Sequence, residues 1–189
     1  GVCYATIEND MRRILSYHII SQVGYMVAGV GIGTALAVNG ACAHAYAHIL
    51  YKALLFMGAG SVLMMTGTSK LNELGGLYKY MPLTLIFYVI GGISISGFPL
   101  FSGFVSKSMI VTGAGEAHHP VLMVLLLLAS VGTFLSVGLK LPYFAWFGKD
   151  CGLKPKEPPA NMLWAMGLTA FLCFFIGVYP KALYDLLPF

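Results

Sequence analysis

Residues 43–60 read AHAYAHILYKALLFMGAG, an apolar run that nevertheless carries His44, His48 and Lys52 at intervals of four and four. At about 3.6 residues per turn these three drift only slightly round a helix axis, so they share one face. Apolar and small residues extend for about ten positions on either side of Lys52, which leaves its amine no short route to a membrane surface. A lysine near the bilayer centre costs roughly 2.5–3.5 kcal/mol on insertion scales and therefore marks a functional face by default. The plain alternative is a buried lysine neutralised by a neighbour.

The rest of the chain fits a membrane setting. Of its 189 residues 58% are hydrophobic and 10% charged, with a mean hydropathy of +0.82. A soluble domain carries about a quarter charged residues, so the composition is that of a polytopic, all-α transmembrane bundle. The net charge of +4 does not imply nucleic-acid binding, because no basic run or basic patch interleaved with aromatics occurs. Cys3, Cys42, Cys151 and Cys173 are far apart, form no CxxC, and support neither a disulfide framework nor a zinc site. No signal-peptide pattern opens the chain, which reads as a fragment of a longer protein.

Upstream of the opening run, residues 1–12 read as the remnant of a preceding segment and a cytoplasmic edge, and residues 13–189 as the transmembrane unit. A first crossing runs from about Ile14 to Gly33. His18, Ser21, Gln22 and Tyr25 share a side of it, and lipid offers such groups no partners. His18 suits either a structural hydrogen bond or a proton path. An uncharged turn, Thr34 to Gly40, leads into the crossing that holds His44, His48 and Lys52, from about Ala41 to Thr66. The loop 67–81, with Lys70, Glu73 and Lys79, is aqueous.

Downstream, residues 82–114 would span about 50 Å as one helix, against a hydrocarbon core of about 30 Å. Its middle contains Gly97, Pro99 and Gly103. A proline removes an amide donor and clashes with the preceding turn, so a broken helix with free backbone groups is expected in mid-membrane. Such backbone survives only where protein or a wet cavity covers it. Lys107 follows the break by two turns. His118 and His119 sit in a short loop and read as a solvated turn. A crossing from about Val121 to Phe147 contains Lys140, the charged loop 148–160 follows, and a last crossing runs from about Asn161 to Tyr179 before an amphipathic tail. Five crossings, the third broken, put residues 10–13, 67–81 and 148–160 on the cytoplasmic side, with seven of the eleven basic residues there and only Lys181 opposite.

The runs DMRRILSYHIISQVGYM, HAYAHILYKALLFMGAGSV, LGGLYKYMP and SISGFPLFSGFVSKSMI resemble, in collinear order, the antiporter-like subunits shared by Mrp-type multisubunit cation/proton antiporters and respiratory complex I. SISGFPLFSGFVSKSMI followed by GLKLPYFAWFGKD is most similar to the D-subunit branch of the Mrp antiporters. The resemblance implies two inverted five-helix halves, each with a broken helix, joined by a hydrophilic axis, of which this chain covers the second half. It assigns His44, His48 and Lys52 to that axis, Lys107 to the terminal proton-exchanging position, and Lys140 to a basic position on the following helix. It also implies other antiporter subunits as partners in a hetero-oligomeric complex of the plasma (inner) membrane, with protons and sodium as the ions and no cofactor or metal.

The residues themselves display no nucleophile–base pair, phosphate loop or flavin motif, so what can change is protonation. Desolvation disfavours the charged form of an amine, and histidine titrates near neutrality. Successive turns place His44, His48 and Lys52 roughly 6 Å apart along the axis, a spacing for one bridging water. Three readings follow: a proton-conducting antiporter subunit; a membrane-arm subunit of a redox-driven complex (an NADH:quinone oxidoreductase or membrane-bound hydrogenase); and a haem- or metal-binding module using His18, His44 and His48.

Overall fold

Asp10 starts the first long helix. In the computed structural model, which describes all 189 residues, its carboxylate accepts hydrogen bonds from the Arg12 and Arg13 amides at 2.9 and 3.2 Å and from the Ser69 hydroxyl at 2.5 Å. Burial works against that carboxylate, but these bonds outweigh it and hold the Asp10 carboxyl below its ordinary value of 3.8. A lowered folded pKa makes the stabilisation fully present above 3.8 and lost as the pH falls below it. Asp10→Ala should therefore cost about 1 kcal/mol in a thermal melt at neutral pH, with the difference from wild type shrinking in acid. An equal difference at all pH values would refute the cap.

Eight α-helices follow one another: α1 (Val2–Ile7), α2 (Met11–Ile32), α3 (Ala35–Thr66), α4 (Pro82–Ser96), α5 (Ser102–Glu116), α6 (Pro120–Thr133), α7 (Ala160–Val178) and α8 (Lys181–Tyr184). Two wider-wound π-helical stretches, Phe134–Lys140 and Tyr143–Phe147, continue α6, so this rod runs from Pro120 to Phe147. They flank Pro142, whose missing amide donor cannot serve a regular α-helical ladder. Gly33 and Gly67 end α2 and α3 in left-handed conformations with φ of 77° and 79°, as helix-ending glycines do. Helical segments therefore occupy all five expected positions, and three of them, α3, the α6 rod and α7, are each long and apolar enough to cross a membrane.

α3 is the central post and packs against α2, α4, α5 and α7. The core around it holds Leu55, Val62, Tyr88 and Trp146, with the last two rings 5.1 Å apart. Outward faces stay apolar: Val124, Leu125, Leu128, Trp164, Leu168 and Phe171 are all exposed. Such a surface suits acyl chains or neighbouring subunits rather than water.

Three sequence expectations change in detail. The turn expected over 34–40 is only Gly33–Thr34, because the Thr34 hydroxyl accepts from the Ala37 amide at 3.2 Å and starts α3 at Ala35. The loop 67–81 exposes Lys70, Glu73 and Lys79 but buries Leu71, Leu74, Leu77 and Met81 in the main core. It is pinned to residues 9–11 by Met11 N to Ser69 O and Leu71 N to Asn9 O, both 2.9 Å. Residues 2–7, expected as a remnant, form α1 packed on α2, with Tyr4 stacked on Tyr17 at 5.6 Å. In the charged loop, Glu157 accepts from the Leu83 amide and the Thr84 hydroxyl, both at 2.7 Å, and so caps the start of α4.

Candidate functional site

α4 and α5 are 15 residues each, about 22 Å long, so each is too short to cross a bilayer and the two cross it together. Between them the chain turns at Gly97 (φ 79°) and Leu100 (φ 73°). Gly103 then brings α5 so close to α4 that a Cβ there would lie inside the contact radius of the Ser94 carbonyl oxygen. The Ser94 and Ser102 hydroxyls bond across the junction at 3.0 Å.

A helix that stops in mid-bundle leaves its last carbonyls without amide donors. Lys107 serves one: its Nζ donates to the Ile95 carbonyl at 2.6 Å. Ser130 of α6 serves the next, donating to the Ser96 carbonyl at 3.2 Å, and its oxygen lies 3.3 Å from the Lys107 amine. The negative end of α4 thus faces an ammonium that is only 5% exposed. The Tyr25 ring centre lies 5.2 Å from the same nitrogen, at cation–π distance. A cavity of about 260 Å³, lined by Tyr25, Lys107, Ser108, Thr112 and Ser130 among others, opens beside it.

From there the polar groups continue through α3. His44 is fully buried; its Nδ1 lies 2.9 Å from the Ser106 hydroxyl and its Nε2 3.0 Å from the Gln22 carboxamide oxygen. Tyr51 hydroxyl approaches both His44 Nε2 (3.3 Å) and the Gln22 oxygen (3.4 Å). His48 follows, its ring centre 6.4 Å from that of His44, and its Nε2 has no hydrogen-bond partner on the protein. Lys52, 5% exposed, donates to the Leu15 carbonyl of α2 at 2.8 Å. One turn along α2, His18 contacts the Ser136 hydroxyl at 2.6 Å.

Lys107, His44, His48, Lys52 and His18 are thus brought into one seam among α2, α3, α5 and the α6 rod. Lys140 takes a different course. It is half-buried, and its amine donates to the Thr6 and Glu8 carbonyls at 2.7 and 2.6 Å, where it ties off the end of α1. Gly97 and Gly103 shape the junction, and Pro99 is exposed at the break. No carboxylate meets the seam: the chain's two ion pairs, Arg13–Glu8 at 4.0 Å and Lys70–Glu73 at 3.3 Å, lie outside it. No three His, Cys, Asp or Glu side chains converge, so the histidines do not form a metal-ligand set.

Ser106, Ser130 and Thr133 also belong to the seam, with Gln22 reaching it from the polar side of α2. Ser130, Thr133 and Ser136 recur at intervals of three in an otherwise apolar helix, and that spacing was the available signal.

Comparison with known proteins agrees with this geometry. The NADH:quinone oxidoreductase/Mrp antiporter transmembrane family matches residues 1–136. The D subunit of the Na(+)/H(+) antiporter of Alkalihalophilus pseudofirmus is 40% identical over 161 residues, which cover 85% of this chain and 32% of that protein. A chain in the Mrp complex from Dietzia sp. DQ12-45-1b superposes with a TM-score of 0.90 at 21% identity, over 98% of this chain and 43% of that one, which shows a common fold. A chain in the archaeal membrane-bound sulfane sulfur reductase superposes with a TM-score of 0.88 at 31% identity, over 94% and 30%. The chain spans about a third of the length of the Alkalihalophilus relative. It belongs to the transmembrane family of NADH:quinone oxidoreductase and Mrp antiporter subunits.

Proposed function

We propose that this chain is the proton-carrying half of a subunit in a multisubunit Na+/H+ antiporter of the cell membrane, a secondary transporter rather than an enzyme, with the Arg12/Arg13 end cytoplasmic. The observation that carries the reading is a pair of buried lysines, Lys107 and Lys52, each held by a backbone carbonyl and neither by a carboxylate. With no carboxylate beside it, either amine can give up its proton without leaving a buried counter-charge unpaired. His44 and His48 lie between the two amines as intermediate acceptors, and His18 extends the row along α2. Like charges in one low-dielectric seam repel, so a proton arriving at Lys107 biases those on α3. That coupling is what an antiporter needs to link one ion's movement to another's. Lys140, tied to α1, is assigned to the cytoplasmic end of the path. Residues 13–189 act as one transmembrane unit, the second of two inverted halves.

The test is Lys52→Ala in the complete complex, in vesicles from cells lacking other antiporters. Sodium-driven collapse of a pH gradient should be abolished while the subunits still assemble. Full retained exchange would refute the role of Lys52.

A second reading, a subunit of a redox-driven complex, is favoured by the 31% identity to a chain in the sulfane sulfur reductase structure. Proton pumping by the native complex that requires an electron donor and proceeds without sodium would support it and overturn the first.

A further inference from the structure

The hydrogen bonds around His44 have a direction that can be read from one end. Thr133, the last residue of α6, donates its hydroxyl to the Ala129 carbonyl at 2.8 Å. That leaves its oxygen as an acceptor, and Gln22 meets it with the carboxamide nitrogen at 3.4 Å. The carboxamide oxygen then faces His44 Nε2 at 3.0 Å. Two lone pairs at that separation would repel, so Nε2 carries a hydrogen. A neutral imidazole has only one, so Nδ1 is bare and accepts from the Ser106 hydroxyl at 2.9 Å. Gln22, His44, Ser106 and Thr133 are all fully buried, so water does not scramble this order.

Tyr51, also fully buried, fits this order by donating its hydroxyl to the Gln22 oxygen at 3.4 Å. The opposite tautomer requires these groups to reverse together, with the Tyr51 hydroxyl turning to His44 Nε2 at 3.3 Å. Thr133 would donate to the Gln22 oxygen, the Gln22 nitrogen to Nε2, and Nδ1 to Ser106. Ser106 would then turn its hydroxyl to the Gly103 carbonyl at 3.3 Å. Any partial reversal sets two donors or two acceptors against each other in the core.

We propose, resting on the transport reading above, that Gln22 is a positioning residue that fixes the Nε2–H tautomer of His44 and so insulates the Lys107 side of the seam from His48. A proton coming from Lys107 adds to Nδ1, while Ser106 swings its hydroxyl to the Gly103 carbonyl. The imidazolium then donates both ways without disturbing Gln22. The proton departs from the same nitrogen, back to the Lys107 amine, and no electrons move. Nε2 stays closed to His48 until the Gln22 carboxamide turns over. Gln22 cannot itself titrate, which suits it to blocking a proton rather than relaying one. His44 is then a proton store on one side of a break, and that break prevents protons from leaking through without a counter-ion.

The experiment is 15N NMR of the histidine-labelled, membrane-reconstituted complex, with the His44 signal identified by its loss in His44→Gln. Neutral His44 should be almost entirely the Nε2–H form in wild type. Thr133→Val is isosteric and does not touch His44, yet it should bring that fraction down to about a half by freeing Gln22 to take either orientation. Gln22→Met should do the same and raise sodium-independent proton leak in vesicles severalfold. A wild-type Nδ1–H form, an unchanged tautomer in Thr133→Val, or an unchanged leak in Gln22→Met would each overturn the proposal. The tautomer signal does not depend on turnover, so it is separate from the outcome for Lys52→Ala.

Discussion

Replacing Lys107 by alanine in the complete complex is expected to lower sodium-driven proton exchange about a hundredfold or more, the scale on which a positioned proton-transfer group contributes. Lys107 is the charged side chain at the helix junction, and its amine is held by the Ile95 carbonyl and Ser130 rather than by a counter-ion. The alanine variant also leaves the Ile95 carbonyl without a donor, at about 1–3 kcal/mol, so lost activity alone would not separate transport from folding. Lys107→Arg makes that separation. Guanidinium can still donate to the Ile95 carbonyl and keeps the charge, but it does not give up its proton in a protein. The arginine variant should assemble like wild type and still fail to exchange. Wild-type exchange by Lys107→Arg would mean that this position supplies only charge, and the proton-carrying assignment would fall.

Where the sequence pointed to the site, it did so through residues that are costly in lipid. Lys52 stood out as the one charged residue of α3 and Lys107 as the one in α5 before its terminal Glu116, and Gly97 with Pro99 marked the break because the backbone rule there is steric and local. The shared face of His44, His48 and Lys52 followed from the period of the helix alone. What stayed hidden depends on distant partners. Lys140 lies in a helix interior by sequence, yet its hydrogen bonds go to the carbonyls of Thr6 and Glu8, more than 130 positions away. The loop 67–81 looked aqueous because its charges are evident, whereas its four buried apolar residues at 71, 74, 77 and 81 need the core of α3 and the α6 rod to explain them. Gln22 was visible as one polar residue on a polar side of α2. Its place between His44 and Thr133 is set by the packing of three helices, which no periodicity within one helix encodes.

The junction itself is the other place where one atom should have a large effect. Gly103→Val is expected to destabilise the protein by about 3 kcal/mol or more and to abolish exchange together with it. The reason is the close approach of α5 to the end of α4: the new Cβ would meet a backbone oxygen, that of Ser94, which cannot rotate out of the way as a side chain can. Relief requires α5 to slide away from α4. The Ser94–Ser102 hydroxyl bond at 3.0 Å would then open, and Lys107 would be drawn off the Ile95 carbonyl. Gly60→Ala is the matched control, because a Cβ at position 60 of α3 meets nothing within 4 Å. In a helix interior that change should be neutral or stabilising by up to about 1 kcal/mol, since alanine is the better helix former. Thermal melts of the two variants should therefore move in opposite directions, or one should move and the other stay. If Gly103→Val melts and transports like wild type, the two half-helices are not in contact at this point, and the carbonyls at the break are not what holds the Lys107 ammonium.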